Sequence, residues 1–261
     1  KSRGNVIAEY TDLAVSLFPF EAEMYKKMGT NVVYGGHPLL DTVKPSMSKD
    51  EAYSFFGLQQ EKKTVLFMPG SRVQEVQSLY GKMLAAGKLL QDKVEGLQFM
   101  VPKASTIDRH MLEEAAREAN LEVHIGEERV YDMMNIADAA ICASGTATLE
   151  TALMGVPTLL VYRVNALTYW LSKILVHLDS IGLPNIISGH RIMPELWQDE
   201  VTPENIEAVV LPWLVDAAAS EEARHLMVGV RRQMGEAGAV RRTAEIISEF
   251  VKEKQLHEAV Q

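Results

Sequence analysis

Gly70, Ser71 and Arg72 are the first residues of this chain whose types and spacing suit the binding of a phosphorylated ligand. They follow the apolar run Thr64–Met68 and precede a helical pattern. A glycine lets the backbone approach an anion closely, free N–H groups at a helix start attract negative charge, and Arg72 adds a fork of donors that matches a phosphate. A simpler explanation stays open, because Ser71 and Gln74 have the spacing of a helix capping box.

The second candidate segment is residues 143–150, Ala-Ser-Gly-Thr-Ala-Thr-Leu-Glu. Gly145 leaves space for a ligand, and Ser144 and Thr146 offer hydroxyl groups. Glu150 follows Thr146 by four residues, so both side chains share one face of a helix. A carboxylate in that place can accept hydrogen bonds from the vicinal hydroxyls of a ribose. The alternative is a Ser/Thr helix cap followed by an ordinary surface glutamate.

The two segments together indicate a nucleotide site more strongly than either does alone. Both follow predicted strands, and ligands of open α/β sheets bind at the carboxyl ends of the strands. Neither the G-x-x-x-x-G-K-[ST] nor the G-x-G-x-x-G pattern occurs in the sequence. A nucleoside diphosphate held by backbone and arginine, without the lysine of a P-loop, favours a nucleotide-sugar site.

The seven histidines give a weaker signal. They are His37, His110, His124, His177, His190, His225 and His257. No two have the H-x-x-x-H spacing typical of a zinc site, so no metal is expected. His37 lies in the sequence Gly-Gly-His-Pro and is a candidate for ligand contact in a cleft between domains. A structural role in that loop explains it equally well.

Short apolar runs alternate with helical patterns through the middle of the chain. Five strands are predicted, at residues 64–68, 97–101, 121–125, 138–142 and 157–162. This alternation is typical of βαβ units. It predicts a doubly wound α/β domain with a parallel sheet covered on both faces. Before it, a strand–helix–strand pattern spans residues 13–34, and Ser48 and Glu51 predict the start of a helix that ends near Phe56.

Composition limits the class of protein. The chain has 261 residues, of which 47% are hydrophobic and 23% are charged, and it contains one cysteine. These values exclude a disordered, collagen-like or disulfide-built chain. The net charge of -9 argues against a nucleic-acid partner. No apolar run approaches the roughly 20 residues of a spanning helix.

Three parts are predicted: a remnant domain at residues 1–45, a Rossmann-like domain at 46–165 and a mainly helical segment at 166–261 that packs across both. Within the last part, residues 167–178 (LTYWLSKILVHL) form an amphipathic pattern. A core or domain-crossing helix explains this pattern better than an acyl-chain surface, which stays open. The chain begins with Lys1 rather than methionine, which led us to expect a piece of a longer protein.

The sequence resembles the lipid-A-disaccharide synthase family over nearly its whole length. The matching segments are L-F-P-F-E at 17–21, G-H-P-L at 36–39, M-P-G-S-R at 68–72, residues 143–150, V-Y-R at 161–163 and L-P-N-I-I at 183–187. They occur in the order of the family. The L-F-P-F-E and L-P-N-I-I segments argue against the alternative of another GT-B enzyme that uses UDP-GlcNAc, such as a transferase or an epimerase.

The resemblance implies a GT-B fold and an inverting glycosyltransferase. It implies that UDP-2,3-diacylglucosamine and 2,3-diacylglucosamine 1-phosphate (lipid X) are joined, that UDP is released, and that no cofactor or metal takes part. It also implies a cytoplasmic protein in contact with the inner-membrane surface, and a homodimer. This role agrees with the nucleotide site inferred from the residues, for which the predicted UDP-binding residues are Gly70, Ser71, Arg72, Gly126, Ser144, Gly145, Thr146 and Glu150. The candidates for a substrate cleft are His37, Arg163 and Asn185.

One departure from the family bears on catalysis. Family members carry a Rossmann-like domain before L-F-P-F-E, whereas only sixteen residues precede it here. The family's proposed catalytic acidic residue lies in that domain, so no catalytic residue is carried over. A UDP-binding module without turnover is therefore a further alternative to an active enzyme.

Overall fold

Strands and helices alternate along the chain in the computed structural model, which describes residues 3–163 and 180–260. The first half contains α1 (Arg3–Tyr10), β1 (Ala14–Ser16), α2 (Pro19–Lys27), β2 (Val32–Tyr34), α3 (Leu39–Thr42), α4 (Lys49–Phe56), β3 (Thr64–Met68), α5 (Val73–Gln91), β4 (Gln98–Pro102), α6 (Arg109–Glu118) and β5 (His124–Gly126). The second half contains α7 (Val130–Ile136), β6 (Ala139–Ala143), α8 (Thr146–Leu153), β7 (Thr158–Tyr162), α9 (Leu183–Ser188), β8 (Glu195–Trp197), α10 (Pro203–Val215), α11 (Ala217–Gln233) and α12 (Ala239–Val260). The amphipathic segment 167–178, with His177, lies outside the described residues.

A parallel sheet forms the centre of the larger of two compact units, Lys44–Val230. Its strand order is β5-β4-β3-β6-β7-β8. The chain first moves outward from β3 through β4 to β5, then returns past β3 to continue with β6, β7 and β8. This is the Rossmann order, and the direction reverses between β3 and β6. The predicted doubly wound α/β fold is confirmed.

Alternate residues of the central strand face opposite sides of the sheet, and each side has its own apolar core. Val65 and Phe67 pack with α5, α6 and α10 on one face. Leu66 and Met68 pack with α4 and α7 on the other. All five residues of β3 are buried. Burial on both faces explains why its sequence is a continuous apolar run rather than an alternating one.

The sequence prediction missed one strand of this sheet. Glu195–Trp197 forms β8 and pairs in parallel with β7, with Val161 opposite Leu196. It lies within the segment that was predicted to be mainly helical. The strand has three residues and contains the buried Glu195, so it lacks the apolar run that identified the other strands.

The smaller unit combines Lys1–Val43 with Arg231–Gln261. In it β1 and β2 pair in parallel. The carboxylate of Asp41 accepts hydrogen bonds from the backbone N–H groups of Gly238 and Val240, which stabilises the start of α12. This unit contains both ends of the described chain. The boundaries of the two units therefore differ from the boundaries of the three predicted parts, which were placed at residues 45 and 165.

Within residues 3–163 and 180–260, no helix combines the length and the apolar character that crossing a bilayer requires.

Asp132 fixes the turn that leads into α4. Its carboxylate is buried and accepts hydrogen bonds from the N–H and hydroxyl of Ser46, both at 2.7 Å, and from the N–H of Met47 at 2.9 Å. Burial alone would raise the pKa of this carboxyl, but the hydrogen bonds from Ser46 and Met47 and the charge of Arg129 outweigh it and lower the pKa.

We expect Asp132→Asn to lower the free energy of unfolding at pH 7 by about 1–2 kcal/mol, because an amide accepts these bonds less well than a carboxylate. The folded-state pKa lies below the roughly 3.9 of an unfolded aspartate. The stabilisation is therefore complete above about pH 5 and is lost as the pH falls through the folded-state pKa. Urea titrations at pH 7 and pH 3 measure this, with the exposed Asp92→Asn as the control. If Asp132→Asn lowers the free energy of unfolding by the same amount at pH 7 and at pH 3, the carboxylate is not the source of the stabilisation.

Candidate functional site

A cavity of about 540 Å³ opens at the carboxyl edge of the parallel sheet. The loops that follow β3, β4, β5 and β6 line it. Its residues are Met68, Pro69, Gly70, Ser71, Arg72, Glu75, Pro102, Lys103, Ala104, Glu127, Glu128, Arg129, Val130, Ala143, Ser144, Gly145, Thr146, Ala147 and Glu150. The two loops at the chain reversal, after β3 and β6, are the two segments that the sequence singled out.

The loop after β3 has a geometry that only glycine tolerates at its first position. Gly70 has a φ of +112°, and a Cβ at this residue would lie 2.5 Å from Oε2 and 2.9 Å from Cβ of Glu75. The carboxylate of Glu75 accepts the N–H groups of Ser71 and Arg72, both at 3.3 Å, and the Arg72 guanidinium at 2.9 Å. Glu75 thus occupies the helix start that would otherwise attract an anion. The predicted pairing of Ser71 with Gln74 is wrong, because α5 begins at Val73 and Glu75 is the residue that reaches back.

The hydroxyl groups of Ser144 and Thr146, in the loop after β6, do not cap the helix that follows. Capping was the simpler explanation for these residues. Gly145 is the residue that precedes α8, and no side chain caps the helix there. The hydroxyl of Thr148 donates to the carbonyl of Gly145 at 2.7 Å. The φ of Gly145 is +152°, a value at which a side chain would be strained. Ser144 and Thr146 both line the cavity.

Glu150 lies on the first turns of α8 with its carboxylate at the cavity. The hydroxyl of Tyr131 donates to its Oε1 at 2.8 Å. Beneath it lies the buried thiol of Cys142, whose pKa is raised by burial and further by the Glu150 carboxylate. The spacing of four residues between Thr146 and Glu150 therefore does bring both to one cavity.

Lys103 is a cavity residue that the sequence prediction missed. It lies directly after β4, and its side chain is 15% exposed. Its Nζ is 3.4 Å from the carbonyl oxygen of Ile107 and 4.0 Å from Oε1 of Glu127. The signal was available, because Lys103 follows an apolar strand at the same edge as Gly70. The prediction overlooked it because no glycine or hydroxyl cluster accompanies it.

Arg129 brings a third cation to the cavity wall. It has a φ of +62°, which is uncommon for a residue other than glycine. Its guanidinium donates to the hydroxyl of Ser46 at 2.9 Å and lies 5.2 Å from the centre of the Phe55 ring. These contacts hold the start of α7 against α4.

Gly126 supports the cavity without lining it. A Cβ at this residue would lie 2.9 Å from the sulfur of Met133, and its carbonyl accepts the N–H of Lys103 at 2.6 Å. The neighbouring Glu127 and Glu128 reach the cavity instead. The loop after β5 therefore lines the cavity through Glu127 and Glu128, whereas Gly126 lies behind the lining.

Three other predicted residues lie outside the lining of this cavity. His37 belongs to the smaller unit, where it is buried; its ring packs 4.9 Å from that of Phe18, and burial lowers its pKa. Arg163 is exposed just after β7. Asn185 is buried, and its amide donates to the Met193 carbonyl and to Glu195 and accepts the N–H groups of Ile192 and Met193. This leaves Asn185 a structural role, which differs from the predicted substrate cleft.

No group of three or more His, Cys, Asp or Glu side chains that could hold a metal occurs in residues 3–163 and 180–260. The charged residues that line the cavity are Arg72, Lys103, Arg129, Glu75, Glu127, Glu128 and Glu150. These side chains give the cavity wall charges of both signs.

A Rossmann-ordered sheet with glycine-containing loops at its reversal point places the chain in the class of GT-B type folds. Solved structures agree on the fold. A UDP co-structure of MnaA from S. aureus has a TM-score of 0.64 and 15% identity, over 94% of this chain and 62% of that one. HepE from Anabaena in complex with UDP-glucose has a TM-score of 0.53 and 10% identity, over 95% and 66%.

The chain belongs to the lipid-A-disaccharide synthetase family, since the model of that family matches residues 1–250. The lipid-A-disaccharide synthase of Geobacter metallireducens is 41% identical over 95% of this chain. That of Geobacter sulfurreducens is 37% identical over 95%. The chain spans 65% of the length of each of these relatives. The resemblance inferred from the sequence is confirmed.

Proposed function

We propose that the protein is an inverting glycosyltransferase that joins UDP-2,3-diacylglucosamine to lipid X, and that its cavity binds the UDP part of the donor. The observation that carries the proposal is the convergence of the loops after β3 and β6 on one cavity at the reversal point of the sheet. Family membership supports it, as do the complexes of the two fold neighbours with UDP and with UDP-glucose. Contact with the inner-membrane surface and a homodimer belong to the same proposal.

The chemistry of the transfer explains why these residues suit it. Displacement at the anomeric carbon makes UDP the leaving group, so negative charge grows on its β-phosphate. Nearby cations stabilise such charge in a water-poor site, and Arg72, Lys103 and Arg129 line the cavity. In this assignment the Gly70–Arg72 turn faces the diphosphate, Glu150 accepts the ribose hydroxyls, and the Glu127 loop lies by the uracil.

We expect Glu150→Ala to weaken UDP binding about fivefold to tenfold and Arg72→Ala about threefold, because each removes one charge-assisted contact. The Arg72 effect is smaller because its side chain is 82% exposed and its guanidinium is already paired with Glu75. Calorimetric titration of the 261-residue chain with UDP measures both, with the exposed Arg117→Ala as the control. Unchanged affinity in both cavity variants contradicts the assigned site.

Turnover separates the transferase from its alternatives. An assay with UDP-2,3-diacylglucosamine and lipid X should give disaccharide and UDP, whereas UDP-GlcNAc, which lacks the two fatty-acyl chains of the donor, should not react. Turnover of UDP-GlcNAc alone would favour another GT-B activity. UDP binding without product from either donor would favour a nucleotide-binding module.

A further inference from the structure

The Glu150 carboxylate is held by one specific partner, Tyr131. Tyr131 lies on α7, immediately after the loop that lines the cavity, and its hydroxyl donates to Oε1 of Glu150 at 2.8 Å. From the part of the chain that the structure describes, no other side chain donates a hydrogen bond to this carboxylate. One oxygen is therefore engaged by the protein, while the side chain lines the cavity.

This contact matters because the described residues that pack around the carboxylate are mostly apolar. Below it lies the apolar core that contains Cys142, Met133 and Met134. Tyr131 and Ala147 pack against that core. A glutamate has several rotamers, and ordering it on ligand binding costs free energy. A hydrogen bond that exists before the ligand arrives reduces that cost.

We propose that Tyr131 is a positioning residue for nucleotide recognition: its hydroxyl holds Oε1 of Glu150, so that Oε2 faces the cavity and accepts a ribose hydroxyl. The inference rests on the proposed binding of UDP. Tyr131 itself does not line the cavity, so it acts on the ligand through Glu150.

The test compares Tyr131→Phe with the unsubstituted chain by calorimetric titration, using UDP, 2′-deoxy-UDP and 3′-deoxy-UDP. We expect the variant to bind UDP about threefold more weakly, because Tyr131 acts through Glu150 and its loss adds only the cost of ordering one side chain. The weakening caused by Tyr131→Phe should be smaller for the deoxy ligand that lacks the ribose hydroxyl bound by Glu150. In the Glu150→Gln background, Tyr131→Phe should cause little further loss, because both changes remove the same interaction.

Tyr53→Phe is the matched control. Tyr53 is also partly buried beside α7, and its hydroxyl donates to the carbonyl of Ile136 at 3.2 Å, outside the cavity lining. It should leave UDP affinity unchanged. Thermal melting of both variants checks that they are folded.

Three results overturn the inference. Unchanged UDP affinity in Tyr131→Phe removes the positioning role. An equal loss for UDP and both deoxy ligands shows a merely structural effect. In either case the proposed function survives if Glu150→Ala still weakens UDP binding. A wild-type chain that fails to bind UDP overturns both the inference and the proposed function.

Discussion

Gly70→Ala is expected to weaken UDP binding by about 30-fold, the equivalent of roughly 2 kcal/mol. Its φ of +112° is unfavourable for any side chain, and the added Cβ would lie 2.5 Å from Oε2 of Glu75. Glu75 belongs to the first turn of α5, and its own Cβ would be only 2.9 Å away. Rotation of the Glu75 carboxylate alone therefore cannot relieve the contact, and the turn that lines the cavity must move.

Gly57→Ala separates the local strain from the effect on the cavity. Gly57 has a φ of +66° at the end of α4, and a Cβ there would have no atom within 4 Å. We expect about 1 kcal/mol of destabilisation and unchanged UDP affinity. Titration with UDP, together with thermal melting, measures both variants. If Gly70→Ala binds UDP as tightly as Gly57→Ala does, the turn after β3 does not face the diphosphate.

Much of the fold and part of the cavity follow from sequence patterns alone. Buried parallel strands such as β3 require continuous apolar runs, and helices such as α4 have local start signals at Ser48 and Glu51. Since the carboxyl ends of parallel strands meet at one edge, the segments after β3 and β6 could be placed together before their strand order was known.

Contacts made by side chains from distant parts of the chain could not be predicted in this way. The sequence does not show that Tyr131 reaches Glu150, because their approach depends on the packing of α7 beside β6 and α8. β8 was missed for a related reason. Its Glu195 is buried but accepts hydrogen bonds from the N–H groups of Ile181 and Gly182, and a short strand stabilised by polar contacts carries no apolar signature.

Lys103 is the cation whose position best suits the charge of a diphosphate. The side chain of Arg72 is 82% exposed and its guanidinium pairs with Glu75 at 2.9 Å, so solvent and a carboxylate already screen its charge. The side chain of Lys103 is only 15% exposed, and its Nζ makes long contacts with Ile107 and Glu127. A charge that is shielded from water and weakly held acts more strongly on an anion that enters the cavity.

Lys103→Met is therefore expected to weaken UDP binding about 30-fold, in line with about 2 kcal/mol for a hydrogen bond between charged groups. Methionine keeps the unbranched shape and most of the length of the side chain, and it removes the charge. Because uridine carries no phosphate, its affinity should hardly change, and competition titrations with UDP, UMP and uridine resolve the difference. Lys88→Met is the matched control, since Lys88 also donates to a backbone carbonyl, that of Asn120 at 3.1 Å, away from the cavity lining. An equal loss for uridine and UDP would show that Lys103 supports the shape of the cavity rather than the charge of its ligand.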